Sequence, residues 1–169
     1  MRNRVLVAAA LLALLGACGD DHDHGEAAGG PDAHSDADSH AHGAPASFAF
    51  GAPGNPSATT RTIEVVTEDP YRFEPEELEV ESGETVTFVV TNEGDREHEF
   101  VLGDPEYQES HGQEMASGAM HHEGNAVTVE PGATEELTWT FPDDGEVLYG
   151  CHVAGHYDAG MVGAISVSA

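Results

Sequence analysis

The C-terminal two-thirds of the chain consists mainly of short runs in which apolar and polar residues alternate. Val86, Phe88 and Val90, for example, alternate with threonines. The same period of two recurs in four further runs: 63–65, 78–80, 137–141 and 165–167. This period is typical of half-buried strands, because successive side chains of a strand point to opposite faces of the sheet. Clusters of turn-forming residues separate the runs. The sequence therefore predicts an all-β domain over residues 59–169, a Greek-key β-sandwich or barrel.

One stretch of the predicted domain, residues 104–126, breaks this alternation. It shows no convincing helical period, so we interpret it as a long insertion between strands. Its notable side chains are methionines and histidines: Met115, Met120, His111, His121 and His122.

The N-terminal residues are typical of an export signal. Arg2 and Arg4 precede an apolar run over residues 5–15, which is too short to span a bilayer. The run ends in Leu-Gly-Ala-Cys at 15–18, which resembles the lipobox of bacterial lipoproteins. The resemblance implies that residues 1–17 are a lipoprotein signal peptide and that Cys18 carries lipid. The mature protein would then be anchored to the cell membrane, facing the periplasm or the cell exterior. An ordinary signal peptide cut near Ala17, leaving Cys18 a free thiol, is the alternative.

Residues 18–58 are rich in Asp, His, Gly, Ala, Pro and Ser, and their only large apolar residues are Phe48 and Phe50. Such a composition cannot repay the entropy of ordering, so we expect a disordered tether. Its histidines, two pairs of which have His-x-His spacing, are His22, His24, His34, His40 and His42. The composition favours a solvated spacer, and loose metal scavenging by these histidines is the alternative.

The charge balance restricts the partners of the chain. Five Lys+Arg face 32 Asp+Glu, which gives a formal net charge of −27. This charge repels phosphate backbones, so nucleic-acid binding is excluded. The acidity could steer the protein towards a basic partner such as a cytochrome, or it could reflect adaptation to a salty habitat. Both interpretations stay open.

Three soft or borderline metal ligands lie close together near the C-terminus. Cys151, His156 and Met161 are spaced Cys-x4-His-x4-Met, a donor set that suits copper better than a hard cation. If Cys18 is acylated, Cys151 has no disulfide partner, and a lone exported thiol tends to oxidise unless it is buried or metal-bound. A trigonal site needs a second imidazole, and His98 is the best candidate.

These residues make the chain resemble the cupredoxins, the type 1 blue copper proteins that include plastocyanin, azurin and auracyanin. The resemblance covers roughly residues 60–169 and implies that one copper ion is bound by His98, Cys151, His156 and Met161. It implies a monomeric one-electron carrier without catalytic activity, served by a redox partner such as a cytochrome or a copper oxidase. Copper sequestration, tolerance or delivery is the alternative, favoured by the His- and Met-containing segments.

Two residues depart from the family pattern. Glu99 follows His98 where many cupredoxins have a small polar residue, and His152 directly follows Cys151. Strand alternation predicts that His152 faces away from the copper. Multicopper oxidases use histidines in this position to bind further copper, but the other parts of such an enzyme are missing here. We therefore favour a packing or surface role for His152, with a second weak copper site there or in the insertion as the alternative.

Overall fold

A computed structural model describes residues 47–118, 123–142 and 144–169. The predicted signal peptide, Cys18, the five tether histidines and residues 119–122 of the insertion lie outside the described residues, so the expectations about them stay predictions. No helix within the described part of the chain is long and apolar enough to cross a membrane.

Within the described residues, ten strands build two five-stranded sheets. In chain order they are β1 (Ala52–Pro53), β2 (Arg61–Glu68), β3 (Arg72–Glu74), β4 (Glu77–Glu81), β5 (Thr85–Asn92), β6 (His98–Gly103), β7 (Ala126–Val129), β8 (Thr134–Thr140), β9 (Gly145–Gly150) and β10 (Val162–Ser168). The first sheet has the order β1-β8-β5-β2-β3 and the second β4-β10-β9-β6-β7. β2 pairs with β5 and β4 with β10 in parallel, whereas the other pairs are antiparallel. The all-β prediction is confirmed.

The alternation in β5 and β8 separates an apolar face from a hydroxyl-bearing face. Val86, Phe88 and Trp139 are fully buried in the core between the sheets. On the opposite face, threonines that lie directly across from each other join their hydroxyls at 2.8–2.9 Å, in the pairs Thr85–Thr140, Thr87–Thr138 and Thr91–Thr134. Such cross-strand pairs fix the register of the two strands.

The insertion contains a helix that the sequence analysis did not predict, α1 (Pro105–Ala116). Asp104 caps its N-terminus by accepting a 2.8 Å hydrogen bond from the Tyr107 amide, and Pro105 occupies the first turn. The buried residues of α1 are the polar Gln108 and His111. An apolar helical period is absent because the face that packs against the domain is polar.

The ordered domain begins earlier than residue 59, so the predicted tether boundary is wrong for residues 47–58. Phe50 is buried, and its carbonyl accepts a 3.0 Å hydrogen bond from Trp139 Nε1. Phe48 stacks on Phe50, with ring centroids 4.8 Å apart, and β1 adds an edge strand beside β8. The local sequence does not predict this packing, because the partners of the two phenylalanines lie far along the chain.

Candidate metal centre

The fold brings the predicted ligands to one end of the second sheet. His98 begins β6, and Cys151 directly follows β9, the strand that pairs with β6. His156 and Met161 lie on the loop between β9 and β10. Backbone hydrogen bonds close this loop: the Cys151 amide donates to the Met161 carbonyl at 3.1 Å, and the Met161 amide donates to the His156 carbonyl at 3.0 Å.

Cys151, His98 and His156 form a buried trio that we call the ligand trio. Cys151 Sγ lies 3.3 Å from His156 Nδ1 and 3.8 Å from His98 Nδ1. Their metal-binding atoms all lie within 4.8 Å of one another. Among the described residues, no other group of three His, Cys, Asp or Glu side chains comes together as closely. One buried thiol and two buried imidazole nitrogens that converge in this way fit a copper ion.

Met161, the fourth predicted ligand, lies at the end of the same loop. Its side chain is fully buried, and its backbone is hydrogen-bonded to both Cys151 and His156. This placement suits a thioether that acts as a weak axial ligand.

We expect Met161→Leu to keep copper on the ligand trio and to raise the reduction potential. Loss of an electron-donating thioether disfavours Cu(II) more than Cu(I). Redox titration of the copper-loaded variant against the parent protein measures the change. A lower potential, or complete loss of copper, would mean that Met161 is not a conventional axial ligand.

Burial keeps the metal-free trio uncharged near neutral pH. Burial, and secondarily the neighbouring His156, lowers the pKa of His98; burial, and secondarily Arg96, lowers that of His156. Burial also raises the pKa of the Cys151 thiol to about 11. The site therefore holds two neutral imidazoles and a protonated thiol. The Glu99 amide donates to Cys151 Sγ at 3.3 Å, which favours the thiolate once it forms.

These protonation states predict that copper uptake at pH 7.5 releases about one proton per ion, because only the thiol must be deprotonated. The raised thiol pKa makes copper affinity fall as the pH decreases, since protons compete with the metal for sulfur. Proton release can be measured with a pH indicator in weak buffer during a copper titration. A release close to zero would show that Cys151 is already a thiolate or is not a ligand.

Two residues beside the trio were not found by sequence reasoning. Asp69 Oδ1 lies 3.8 Å from His98 Nε2, and the Tyr71 ring lies 4.8 Å from the His156 ring between centroids. Both belong to the loop after β2, which carries no metal-binding motif. Asn92 fixes the loop between β5 and β6. Its side-chain amide donates to the carbonyls of Arg96 and Val129, at 2.6 and 2.8 Å. These contacts hold the two loops against the imidazoles.

His152 is not part of the trio. Its Nε2 lies 2.7 Å from Gln108 Oε1 of α1, so the side chain points to the helix side of the sheet, as strand alternation predicts.

A β-sandwich with such a trio at one end is the structure of a cupredoxin. The chain belongs to the family described as copper binding proteins of the plastocyanin/azurin family, whose model matches residues 60–168. It is 40% identical over 174 residues to the copper-resistant cuproprotein CopI of Rubrivivax gelatinosus, with 99% of each chain covered. It is 39% identical to CopI of Pseudomonas aeruginosa, covering 70% of this chain and 82% of that one.

Solved structures agree on the fold. Reduced auracyanin from Roseiflexus castenholzii superposes with a TM-score of 0.58 at 22% identity, covering 66% of this chain and 99% of that one. Auracyanin A from Chloroflexus aurantiacus, described as a blue copper protein, gives a TM-score of 0.55 at 28% identity, covering 63% and 97%. The predicted cupredoxin relationship is confirmed, and the chain is a copper-binding protein.

Proposed function

We propose that this cupredoxin contributes to copper resistance by holding copper in the ligand trio, as a binder or carrier rather than as an enzyme. The observation that carries the proposal is the buried trio in a chain that is similar over 99% of its length to a copper-resistant cuproprotein. Electron transfer is the function that the sequence alone favours, whereas the relatives' names support its alternative, copper tolerance.

The structure supports sequestration through burial. All three members of the trio are almost inaccessible to solvent, with His156 the most exposed at 4%. Copper bound there would be shielded from water and from small reductants. The strong negative charge of the chain also raises the local concentration of cations around it.

One-electron transfer is the second candidate, and the contact between Tyr71 and His156 favours it. Copper supplies a one-electron couple when it is bound by such a site. The ring of the half-buried Tyr71 lies against the His156 imidazole, 4.8 Å between centroids, and so links the trio to the surface. A redox partner would dock at this end of the sandwich. The net negative charge of the chain favours a basic partner.

Growth of a copper-sensitive bacterial host at raised copper tests the two candidates together. Expression of the parent chain should restore growth, and Cys151→Ser at equal expression should not. Met161→Leu separates the mechanisms, because it keeps copper but changes the potential. Full rescue by Met161→Leu supports sequestration, whereas loss of rescue supports a redox role. Failure of the parent chain to restore growth would contradict the resistance proposal.

We further propose that the protein is exported and lipid-anchored at Cys18, on the basis of the signal-like residues 1–17. Mass spectrometry of the native N-terminus should find a diacylated Cys18. An unmodified N-terminus at or after Cys18 would contradict the proposed lipid anchor.

A further inference from the structure

A second pair of buried imidazoles lies on the helix side of the second sheet. His111 of α1 and His152 have ring centroids 5.0 Å apart. In the ligand trio, the rings of His98 and His156 are 5.1 Å apart. Two imidazoles that bind one ion at about 2.0 Å, at a roughly tetrahedral angle, have centroids about 5 Å apart. The spacing of the second pair is therefore that of two ligands of one metal ion.

Both rings are held in place by aromatic neighbours. Tyr107 stacks on His111, with centroids 5.8 Å apart and an interplanar angle of 11°. Tyr157 stacks on His152 at 4.5 Å and 13°. Fixed rings lose little conformational freedom when they bind a ligand, so the pair is preorganised.

The hydrogen bonds of Gln108 leave Nδ1 of His152 available for a metal. The Gln108 amide donates from Nε2 to the Val101 carbonyl at 2.8 Å, so its Oε1 is the atom that faces His152. Nε2 of His152 must then donate the 2.7 Å hydrogen bond to this oxygen, and Nδ1 carries the lone pair. Metal-binding histidines typically donate their other N–H to an oxygen in this way.

Gly112 keeps the space beside Nδ1 open. A Cβ at this position would lie 3.1 Å from His152 Nδ1, closer than an ordinary contact. The space belongs to an open cavity of about 750 Å³, whose lining includes Glu99, Gly112, Met115 and His152. The cavity therefore connects His152 to solvent, while His111 borders a smaller neighbouring cavity.

The cavity lining suits a soft cation, because it includes an acidic side chain and a thioether. Glu99 is 2% exposed, and its Oε2 makes no hydrogen bond within the described residues. A buried carboxyl group with an oxygen that makes no hydrogen bond gains from a nearby positive charge. The Met115 thioether lies one helical turn after His111, and thioether with imidazole favours Cu(I).

We infer that His111 and His152 hold a second copper ion as Cu(I), next to the type 1 site in sequence but on the opposite face of the sheet. This site goes beyond the proposed function, because it does not depend on whether the ligand trio serves resistance or electron transfer.

A count of tightly bound Cu(I) in the full-length chain tests the inference. Anaerobic titration against a competing Cu(I) chelator should show one ion fewer in Gly112→Ala and in His111→Asn than in the parent. Ser110→Ala, an exposed position on the same helix, is the control and should match the parent. The visible colour of each Cu(II)-loaded variant reports an intact fold and type 1 site. Equal Cu(I) counts in all four proteins would overturn the proposal and leave His111 and His152 as a packing pair.

Imidazole ¹⁵N NMR of the diamagnetic Cu(I) protein gives an independent readout. At saturation, Nδ1 of His152 should shift from the value of an unprotonated nitrogen to that of a metal-bound one, and Gly112→Ala should prevent this shift. If His98 and His156 respond to Cu(I) while His152 does not, the second site does not exist.

Discussion

Cys151→Ser should remove nearly all of the visible absorption of the Cu(II)-loaded protein. Intense colour in such sites comes from charge transfer between a thiolate sulfur and Cu(II), and Cys151 is the one cysteine among the described residues. The serine hydroxyl replaces the soft donor with a hard one. We expect copper affinity to fall by more than about a hundredfold, because changes outside the ligand shell alone cost 10–100-fold.

Cys18→Ser is the matched control for this experiment. It removes the other cysteine of the chain but leaves the ligand trio intact, so the colour should persist. Absorption spectra and competition titrations of the two variants measure both effects. Strong colour in Cys151→Ser, or loss of colour in Cys18→Ser, would mean that Cys151 is not the thiolate ligand.

Phe50→Ala should lower the free energy of unfolding by about 3–5 kcal/mol, the usual cost of truncating a buried phenylalanine. Phe50 is 4% exposed, and its ring lies 5.7 Å from that of Trp139 and 5.2 Å from that of Tyr107 between centroids. Truncation would open a cavity between the first sheet and α1. Urea unfolding followed by tryptophan fluorescence measures the loss, because Trp139 is the only tryptophan.

Phe48→Ala provides the comparison, because Phe48 is partly exposed and should cost less. A chain that begins at residue 47 should keep the stability of the parent, whereas one that begins at residue 59 should lose the Phe50 contribution. Equal stability of the two shortened chains would mean that residues 47–58 do not stabilise the domain.

The sequence predicted those parts of the structure whose signals are local. Period-two alternation depends on neighbouring residues, so strands such as β5 and β8 could be identified directly. The spacing of Cys151, His156 and Met161 is likewise contained in one loop. His98 could be named only as the best candidate for the second imidazole, because its approach to Cys151 depends on the pairing of β6 with β9.

The parts that were missed depend on contacts between distant segments. α1 buries Gln108 and His111 rather than apolar side chains, so its sequence lacks an amphipathic period. Phe50 looked isolated because it packs against Trp139, 89 positions further along the chain. Asp69 reaches His98 because the loop after β2 meets the loop before β6 at the same end of the sandwich, a meeting that only the strand order creates.

Copper-edge X-ray absorption of the full-length chain loaded with one equivalent of Cu(II) tests the central claim most directly. The ligand trio predicts one short copper–sulfur distance from Cys151 and two copper–nitrogen distances from imidazoles, in agreement with a type 1 site. A spectrum with only nitrogen and oxygen neighbours at one equivalent would place the copper elsewhere, and it would contradict both the site and the function proposed from it.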